Sequence, residues 1–349
     1  MNTVLITGGC GFIGSNFVRF LLNETSQPHL VLNLDKMTYA GNAENLEDIP
    51  LRYSNRYRFF RGDIRNTEML DYIFAEFDPD AVVNFAAESH VDRSILNPNL
   101  FIDTNVLGTA SLLGAAQRHW PKNTWDGRRF LQVSTDEVYG SLEENDPTAR
   151  FTEETPLAPH SPYSASKASA DIIAKATYDT YGLPVLITRC SNNYGPYQFP
   201  EKLIPLMINR ALEDKPLPVY GDGKNVRDWL YVEDHCHAIW TVLQHAKPGA
   251  VYNIGGDNQL QNIEIVCLLL DALGKPHSLI NYVTDRPGHD RRYAIDASRI
   301  SADLGWQPRS VFSETIKETI NWYLSHRGWV ERIVSGQYQE YYDTMYGHR

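Results

Sequence analysis

Short apolar runs alternate with amphipathic stretches through the first two-thirds of the chain, and this alternation limits the possible folds more than any other feature. Each run has the length, β-branched content and flanking turns of a strand that is buried on both faces. Because strands alternating with helices form right-handed βαβ units, the sequence predicts an α/β fold built on a doubly wound parallel sheet. We predict strands at Thr3–Thr7, Leu30–Asp35, Tyr57–Phe60, Ala81–Ala87, Phe130–Ser134 and Pro184–Thr188, and helices at Ile13–Asn23, Thr67–Glu76 and Leu100–Arg118.

The texture of the chain changes after Cys190, where loops punctuated by proline and glycine carry many polar and aromatic residues. Such loops are typical of a ligand-binding region. We therefore predict a nucleotide-binding domain at residues 1–190 and a smaller α/β substrate-binding domain mainly at residues 191–349. A helix predicted at Val232–Gln244 leads back to the sheet, so a returning segment at about 228–256 is assigned to the first domain.

Charge and cysteine usage narrow the ligands and the compartment. The 349 residues carry a net charge of −11, which repels the phosphates of nucleic acid over most of the surface, so an anionic ligand needs a local cluster of Arg and Lys. The four cysteines have neither metal-ligand nor disulfide spacing, and we expect no metal. The N-terminus MNTVLITGG does not resemble a signal peptide, and no segment approaches the roughly 18 apolar residues of a membrane span. We therefore expect a cytoplasmic protein that binds no membrane.

A glycine-rich segment lies between the first predicted strand and the first predicted helix. Gly8, Gly11 and Gly14 form the pattern G-x-x-G-x-x-G, which differs from the commoner G-x-G-x-x-G. Backbone without Cβ atoms lets a pyrophosphate approach a helix N-terminus, where unpaired N–H groups and the helix dipole favour anions. Glycines alone are a weak signal, but these stand at a strand-to-helix turn. We predict a Rossmann dinucleotide site that includes Phe12 and Ile13.

Asp35 ends the second strand about 20 residues after Gly14, the spacing of the acid that accepts hydrogen bonds from the ribose hydroxyls. A carboxylate there repels a 2′-phosphate, so NAD is favoured over NADP. The neighbouring cation of Lys36 would partly offset that repulsion.

Further cofactor contacts are expected after the third and fourth strands. Asp63 and Ile64 are well placed to contact adenine, whereas Phe85, Ala86 and Ala87 end the fourth strand and place small side chains toward the cofactor. The alternative is that Asp35 and Asp63 only cap strand ends.

Tyr163 and Lys167 are the candidate catalytic pair. They lie four residues apart at the start of a predicted helix, behind an N-cap serine and a first-turn proline at Ser161 and Pro162, and therefore share one face. A phenol with a pKa of about 10 is a poor base, and lowering it by about three units needs roughly 4 kcal/mol, which a nearby ammonium and a positive nicotinamide would supply in a dry site. The phenolate would then accept a hydroxyl proton while hydride leaves the same carbon. Ser134–Thr135, ending the fifth strand, would hold the substrate oxygen.

At this point the chain resembles the extended short-chain dehydrogenase/reductases. Asp136 and Glu137 follow Thr135 directly, at the sheet edge where α/β folds place their chemistry. Relatives that only epimerise or reduce need no acid/base couple here, whereas a dehydratase must remove a proton beside a new carbonyl and help a hydroxyl to leave. Different environments would keep Asp136 protonated as the acid and Glu137 ionised as the base. Two solvated carboxylates in a turn are the alternative.

Over nearly the whole length, the chain is similar to the dTDP-glucose 4,6-dehydratases. The similarity runs through GGCGFIGSNFVR, DKMTYAGN, NFAAESHVDRS, STDEVYG, SPYSASKAS, CSNNYGPYQFPEKLIP, RDWLYVEDH and DRPGHDRRYAID. The resemblance implies oxidation at C4 of the sugar with NAD and Tyr163 as base, elimination of water across C5 and C6, and return of hydride to C6. The product would be a 4-keto-6-deoxy sugar nucleotide, a precursor of rhamnose and other deoxysugars.

The same resemblance implies the remaining site residues. For the cofactor they are Thr38, Ser89, Thr104, Ser134 and Asn193, and for the nucleotide sugar they are Ser89, Thr135, Asn192, Lys202, Leu203, Pro218, Val219, Tyr220, Arg227, Asn262, Arg286 and His289. A diphosphate does need a guanidinium fork such as Arg227 or Arg286, although a surface salt bridge is the ordinary role of an arginine. The family is dimeric, which implies a homodimer through the predicted helices Leu100–Arg118 and Pro162–Tyr181.

Two other functions stay open from the sequence. An epimerase or a decarboxylase for nucleotide sugars would share the cofactor site and the Tyr163–Lys167 pair, and Asp136 with Glu137 argues against it. A catalytically idle NAD-binding protein would have no physical need for all four of these side chains. The nucleotide that the sugar carries is left open, because base recognition depends on the shape of loops.

Overall fold

The computed structural model describes residues 1–143 and 146–334. Strands and helices alternate up to Cys190, and the smaller sheets lie after it. The strands are β1 (Thr3–Thr7), β2 (Leu30–Asp35), β3 (Tyr57–Arg61), β4 (Ala81–Asn84), β5 (Arg129–Thr135), β6 (Val185–Cys190), β7 (Asn192–Tyr194), β8 (Leu217–Tyr220), β9 (Val226–Tyr231), β10 (Val251–Ile254), β11 (Gln259–Gln261) and β12 (Ile280–Val283).

The helices cover the sheet and build most of the C-terminal part. The α-helices are α1 (Phe12–Glu24), α2 (Ile49–Arg52), α3 (Thr67–Phe77), α4 (Val91–Leu96), α5 (Pro98–Phe101), α6 (Gly108–His119), α7 (Pro162–Tyr181), α8 (Leu203–Leu212), α9 (Val232–His245), α10 (Asn262–Leu273), α11 (Ser298–Leu304), α12 (Phe312–Ser325) and α13 (Arg327–Val334). Short 3-10 helices lie at Ala43–Leu46, Lys122–Gly127, Asp136–Tyr139 and His277–Leu279, and a π-helical segment, Ile102–Leu107, joins α5 to α6.

Seven parallel strands form the central sheet in the order β10-β6-β5-β4-β1-β2-β3. The strand order reverses at β1, whose neighbours are β2 and β4, and ligands of such sheets bind at the carboxyl ends of the strands beside this reversal. Val4, Leu5 and Ile6 are fully buried because helices cover both faces of the sheet. The predicted fold class, a doubly wound parallel sheet with flanking helices, is therefore confirmed.

A second, smaller set of elements lies beside the carboxyl edge of this sheet. It contains a three-stranded sheet, β11-β9-β7, and the parallel pair β12-β8. Apolar side chains of α8, α10, α12 and α13 pack into a core separate from the two cores that flank the central sheet. The segment predicted to return at about 228–256 holds α9, which packs against α1, and β10, which pairs with β6.

Most predicted elements agree with the observed ones to within two residues at each end, and two differ by more. The fourth strand ends at Asn84 rather than Ala87, because β1 ends at Thr7 and Gly8 then turns away with φ of 72°, so Phe85–Ala87 lose their ladder partner on that side. The helix predicted at Leu100–Arg118 is interrupted by the π-helical segment, in which the Asn105 carboxamide is bound to both backbone polar groups of Glu88.

The described residues contain no helix that is both long and apolar enough to cross a membrane. They also contain no group of three or more His, Cys, Asp or Glu side chains that could hold a metal ion.

Candidate active site

One elongated cavity runs along the carboxyl edge of the central sheet, from the glycine-rich turn to the end of β6. Every residue that the sequence predicted for the cofactor lines this cavity, from Gly8 at one end to Asn193 at the other. All five predicted catalytic residues line it as well, together with Ser89, Asn192 and Lys202 of the predicted substrate set. The fold thus brings the nucleotide loop and the acid/base groups into a single continuous space.

The glycine-rich turn is shaped so that side chains would not fit. A Cβ atom on Gly14 would lie 2.3 Å from the carbonyl oxygen of Gly8, and a Cβ atom on Gly8 would lie 2.7 Å from the backbone nitrogen of Ala86. A Cβ on Gly11 would meet only the Gly8 carbonyl, at 3.3 Å. No side chain caps the N-terminus of α1, whose first N–H groups are therefore available to an anion. This cradle fits the pyrophosphate of a dinucleotide.

Asp35 is held rigidly at the end of β2. Its two carboxylate oxygens accept hydrogen bonds from the backbone N–H groups of Cys10, at 2.8 Å, and Met37, at 2.7 Å. Burial raises its pKa, and these two hydrogen bonds oppose the rise. The Nζ of Lys36 lies 2.9 Å from Asp63, so its cation is paired with that carboxylate rather than with Asp35. This pairing weakens the attraction that Lys36 would offer to a 2′-phosphate.

The catalytic pair stands at the first turns of α7. Ser161 caps the helix by accepting a hydrogen bond from the Ser164 N–H at 3.0 Å, and Pro162 is its first residue, as the sequence predicted. Tyr163 is 8% exposed, and the Lys167 ammonium donates to the Val133 carbonyl oxygen at 2.7 Å. Both side chains are therefore withdrawn from bulk water and face the cavity.

The ionisation of Tyr163 differs from the sequence-based expectation. Burial raises its pKa well above the ordinary value, the charges of Glu137, Cys190 and Asp136 raise it further, and only a hydrogen bond with Thr135 opposes them. Together these protein groups raise the pKa of Tyr163, and Lys167 is not among the strongest influences on it. The positive charge of an oxidised nicotinamide beside the phenol would oppose that rise.

Asp136 and Glu137 are adjacent in the chain but lie in different environments. Asp136 is 1% exposed, and burial followed by the charges of Glu137 and Asp228 raises its pKa well above the ordinary value. Its Oδ2 atom makes no hydrogen bond within the described part of the chain. Burial also raises the pKa of Glu137, but the cations of Arg286, Lys202 and Arg227 oppose that rise. Both pKa values are thus raised, that of Asp136 more strongly than that of Glu137.

Three cations from the C-terminal part of the chain surround this end of the cavity, and each is anchored. Lys202 donates to the carbonyl oxygen of Ser89 at 3.0 Å. Arg227 donates to the Asp290 carbonyl at 2.9 Å, and Arg286 lies 3.6 Å from Asp92. On a chain of net charge −11, this is the local positive cluster that an anionic diphosphate requires.

Several predicted substrate residues surround these cations without lining the cavity itself. Tyr220 donates to Asp92 at 2.9 Å and its ring contacts that of His289 edge-on. Burial, followed by the charges of Arg286 and Arg227, lowers the pKa of His289 to about 4, so that ring is neutral at pH 7.

The remaining members of that predicted set are structural neighbours of the site. Val219 is 3% exposed within the second core, and Leu203 packs against the same core, so their contacts with a substrate would come from the backbone. Pro218 is buried in β8, and Asn262 begins α10 with its N–H bound to the Asn225 carbonyl oxygen at 3.0 Å.

Sequence reasoning missed several residues that line the cavity, among them Glu88, Cys190, Gln198 and Glu201. Glu201 accepts a hydrogen bond from the Tyr39 hydroxyl at 3.0 Å and lies 3.4 Å from Arg93. The only feature of the sequence that pointed to Glu201 as a site residue was its position directly before Lys202, in the run FPEKLIP.

Comparisons with known proteins agree with this geometry. The family model described as GDP-mannose 4,6 dehydratase matches residues 5–319. A dTDP-glucose 4,6-dehydratase of Xanthomonas campestris pv. campestris is 55% identical, over 97% of this chain and 98% of the relative. The structure of a dTDP-glucose 4,6-dehydratase from Bacillus anthracis in complex with NAD superposes with a TM-score of 0.86 at 49% identity, covering 95% of this chain and 100% of that one. A Streptomyces venezuelae dTDP-glucose 4,6-dehydratase with NAD and dTDP bound gives 0.89 at 46% identity, covering 95% and 99%.

Proposed function

The chain belongs to the GDP-mannose 4,6 dehydratase family, and from that premise we propose that it converts dTDP-glucose to dTDP-4-keto-6-deoxyglucose with NAD as a cofactor that ends each cycle unchanged. The observation that carries the proposal is the placement of Asp136 and Glu137 in the same cavity as Tyr163, where burial raises the pKa of Asp136 well above its ordinary value and three cations oppose the rise at Glu137. Oxidation alone would need only Tyr163 and Lys167.

The cofactor is NAD. The Gly8–Gly14 turn fits the pyrophosphate, and Asp35 stands where an acid binds the ribose hydroxyls. Tyr163 lines the same cavity. Bound there, NAD supplies a hydride acceptor that later returns the hydride. Structures of the dTDP-glucose 4,6-dehydratases from Bacillus anthracis and Streptomyces venezuelae contain NAD.

The chain's own side chains carry the proton transfers. Tyr163 accepts the proton of the C4 hydroxyl, with Thr135 holding the same oxygen. Oxidation at C4 acidifies the C5 proton, which Glu137 accepts. Asp136, neutral because it is buried, donates its proton to the departing C6 hydroxyl. When hydride returns to C6, Glu137 gives its proton back to C5 and is again a carboxylate. Tyr163 has then gained the proton of the C4 hydroxyl and Asp136 has lost one, so the passage of one proton from Tyr163 to Asp136 through solvent restores both groups.

The substrate diphosphate lies among Lys202, Arg227 and Arg286, the three cations that also act on Glu137. A guanidinium fork binds phosphate oxygens in two parallel hydrogen bonds, which fixes the sugar relative to the acid and the base. Substrate and catalytic base therefore share one set of positive charges.

We further propose a homodimer that works in the cytoplasm. The sequence predicted pairing through the helices Leu100–Arg118 and Pro162–Tyr181, and these segments expose the apolar side chains of Leu100, Ile102, Leu107, Ile172 and Tyr181. The preceding helix α4 adds the exposed side chains of Ile95 and Leu96. All four cysteines are unpaired, as the thiols of cytoplasmic proteins generally are. Sedimentation equilibrium of the wild-type protein tests the dimer.

Turnover of dTDP-glucose and UDP-glucose side by side tests the proposed reaction. We expect dTDP-glucose to give the alkali-induced absorbance of a 4-keto sugar, with no net change in NAD. A C4 epimer as the product would show that the chain is an epimerase, and loss of a carbon would show a decarboxylase. Faster turnover of UDP-glucose would show that the enzyme prefers a uridine nucleotide on the sugar.

A further inference from the structure

Lys167 is a charged group in a place that opposes charge. Its side chain is 4% exposed and makes a hydrogen bond of 2.7 Å to the Val133 carbonyl oxygen. A buried ammonium tends to lose its proton, because the protein interior solvates the cation less well than water does. The proposed chemistry nevertheless needs the cation, since a neutral amine would not stabilise a phenolate on Tyr163.

A buried ion pair lies one helical turn along α7 from this lysine. Asp171 stands one helical turn further along α7, on the same face as Lys167. Its Oδ2 accepts a hydrogen bond of 2.9 Å from the Nε of Arg189, which lies on β6. The Asp171 and Arg189 side chains are only 1% and 8% exposed. Two buried charges cost free energy to desolvate and are seldom kept for stability alone.

The pair also contacts the segment that carries the acid and the base. The guanidinium of Arg189 donates to the Tyr139 hydroxyl at 2.9 Å, and that hydroxyl donates to Asn253 at 2.8 Å. Tyr139 ends the 3-10 helix that begins at Asp136. Arg189 is therefore fixed from two sides.

We propose that Asp171, kept ionised by Arg189, is the counter-charge that holds Lys167 as an ammonium, and that Asp171 is thereby a positioning residue for the Tyr163–Lys167 pair. The inference rests on the proposed function only in taking Tyr163 as the base. Arginine does not release its proton at any pH of interest, so the carboxyl group bound to it stays a carboxylate. The Asp171 carboxylate then stabilises the ammonium of Lys167, which lies on the same face of α7.

The charges around Lys167 agree with this role. Burial lowers the pKa of Lys167, and the largest opposing effect is the charge of Asp171, followed by that of Cys190. Burial likewise raises the pKa of Asp171, and the charge and hydrogen bond of Arg189 oppose it first, with Lys167 after them. The groups that act most strongly on Tyr163 are Glu137, Cys190, Asp136 and Thr135, and neither Asp171 nor Lys167 is among them. The coupling of Lys167 to Tyr163 therefore rests on their shared face of α7.

The direction of one pKa shift distinguishes this role from its alternatives. If Asp171→Asn lets Lys167 lose its proton, the phenolate of Tyr163 loses its neighbouring cation and the pKa of Tyr163 rises. If Lys167 stayed charged, removal of a carboxylate would lower the pKa of Tyr163 instead. We expect a rise of about one unit, the low end of what a close charge produces.

The measurement is a tyrosinate titration of the NAD-bound enzyme by ultraviolet difference absorbance, with the Tyr163→Phe form of each variant as the blank. It needs no sugar substrate, so its outcome is separate from whether dTDP-glucose is turned over. With substrate, the acidic limb of the pH profile for C4 oxidation should move upward by the same amount. An unchanged or lowered Tyr163 pKa in Asp171→Asn would overturn the proposal.

Two further variants separate electrostatics from folding. Asp171→Asn together with Arg189→Gln removes both buried charges, which restores stability without restoring the counter-charge, so the titration should stay shifted. Recovery of the wild-type titration in this double variant would refute the proposal. Asp234→Asn is the matched control: Asp234 is buried and accepts two backbone hydrogen bonds of 3.0 Å, from Arg309 and Ser310, but it is not among the charges acting on Lys167 or Tyr163. It should lower the melting temperature and leave the Tyr163 titration unchanged.

Discussion

Substitution of Gly14 by alanine tests the nucleotide cradle, and the structure sets the expected magnitude. A Cβ there would lie 2.3 Å from the Gly8 carbonyl oxygen and 2.9 Å from the Gly9 Cα, both backbone atoms that cannot rotate away. Relief of the clash requires the turn to move by about 1 Å, and misplacement on that scale costs about a hundredfold in precisely positioned sites. We therefore expect NAD affinity to fall by between about tenfold and a hundredfold, or roughly 1.4–2.8 kcal/mol.

Stability should change less than affinity, because two effects oppose each other. Alanine is favoured over glycine inside a helix by about 1 kcal/mol, whereas overpacking of a tight contact costs about 1–3 kcal/mol. The assay is fluorescence titration of cofactor-stripped enzyme with NAD, alongside thermal melting. Gly127→Ala is the control, because nothing lies within 4 Å of the Cβ it would add. Wild-type NAD affinity in Gly14→Ala would refute the steric argument.

Four further predictions concern the site. Tyr163→Phe should abolish C4 oxidation, so that no reduced nicotinamide absorbance develops when dTDP-glucose is mixed with the enzyme. Glu137→Gln and Asp136→Asn should leave that absorbance detectable while slowing water loss by about 10²–10⁴-fold, measured by rapid quench; loss of oxidation in both would contradict the assigned roles. Because burial raises the pKa of Glu137 and the base works ionised, the rate of elimination should fall as pH decreases through a value above the ordinary glutamate range, and a limb at or below that range would contradict the assignment. Asp35→Ser should bring the affinities for NAD and NADP closer together, and an unchanged ratio in equilibrium binding would show that Asp35 does not discriminate.

The sequence predicted those features that depend on neighbours along the chain. Buried strands follow from apolar runs, and the shared face of Tyr163 and Lys167 follows from their spacing on one helix. The position of Asp35 relative to Gly14 follows from the length of one βαβ unit. Each of these needed only the period of a regular element.

Features that depend on distant segments could not be predicted in the same way. The pKa of Tyr163 is raised by burial and by carboxyl groups whose closeness emerges only after folding. Lys36 pairs with Asp63, and these residues follow two different strands. This pairing limits how far the Lys36 cation offsets the repulsion between Asp35 and a 2′-phosphate. The side chain of Val219 belongs to the core. The sequence did not predict this, because the alternation of side chains along so short a strand does not reveal which face meets the ligand.

The position of Lys202, Arg227 and Arg286 around Glu137 has a consequence for how such enzymes diversify. Burial raises the pKa of Glu137, the proposed carbon-acid base, and the cations that oppose this rise come from outside the Rossmann half. Changes in the loops of the smaller unit would therefore alter both the pKa of Glu137 and the affinity for the substrate diphosphate. The Rossmann half, which binds NAD, would stay unchanged. In an enzyme selected for a new nucleotide sugar, the rate of proton transfer at C5 would then change before the hydride-transfer steps do.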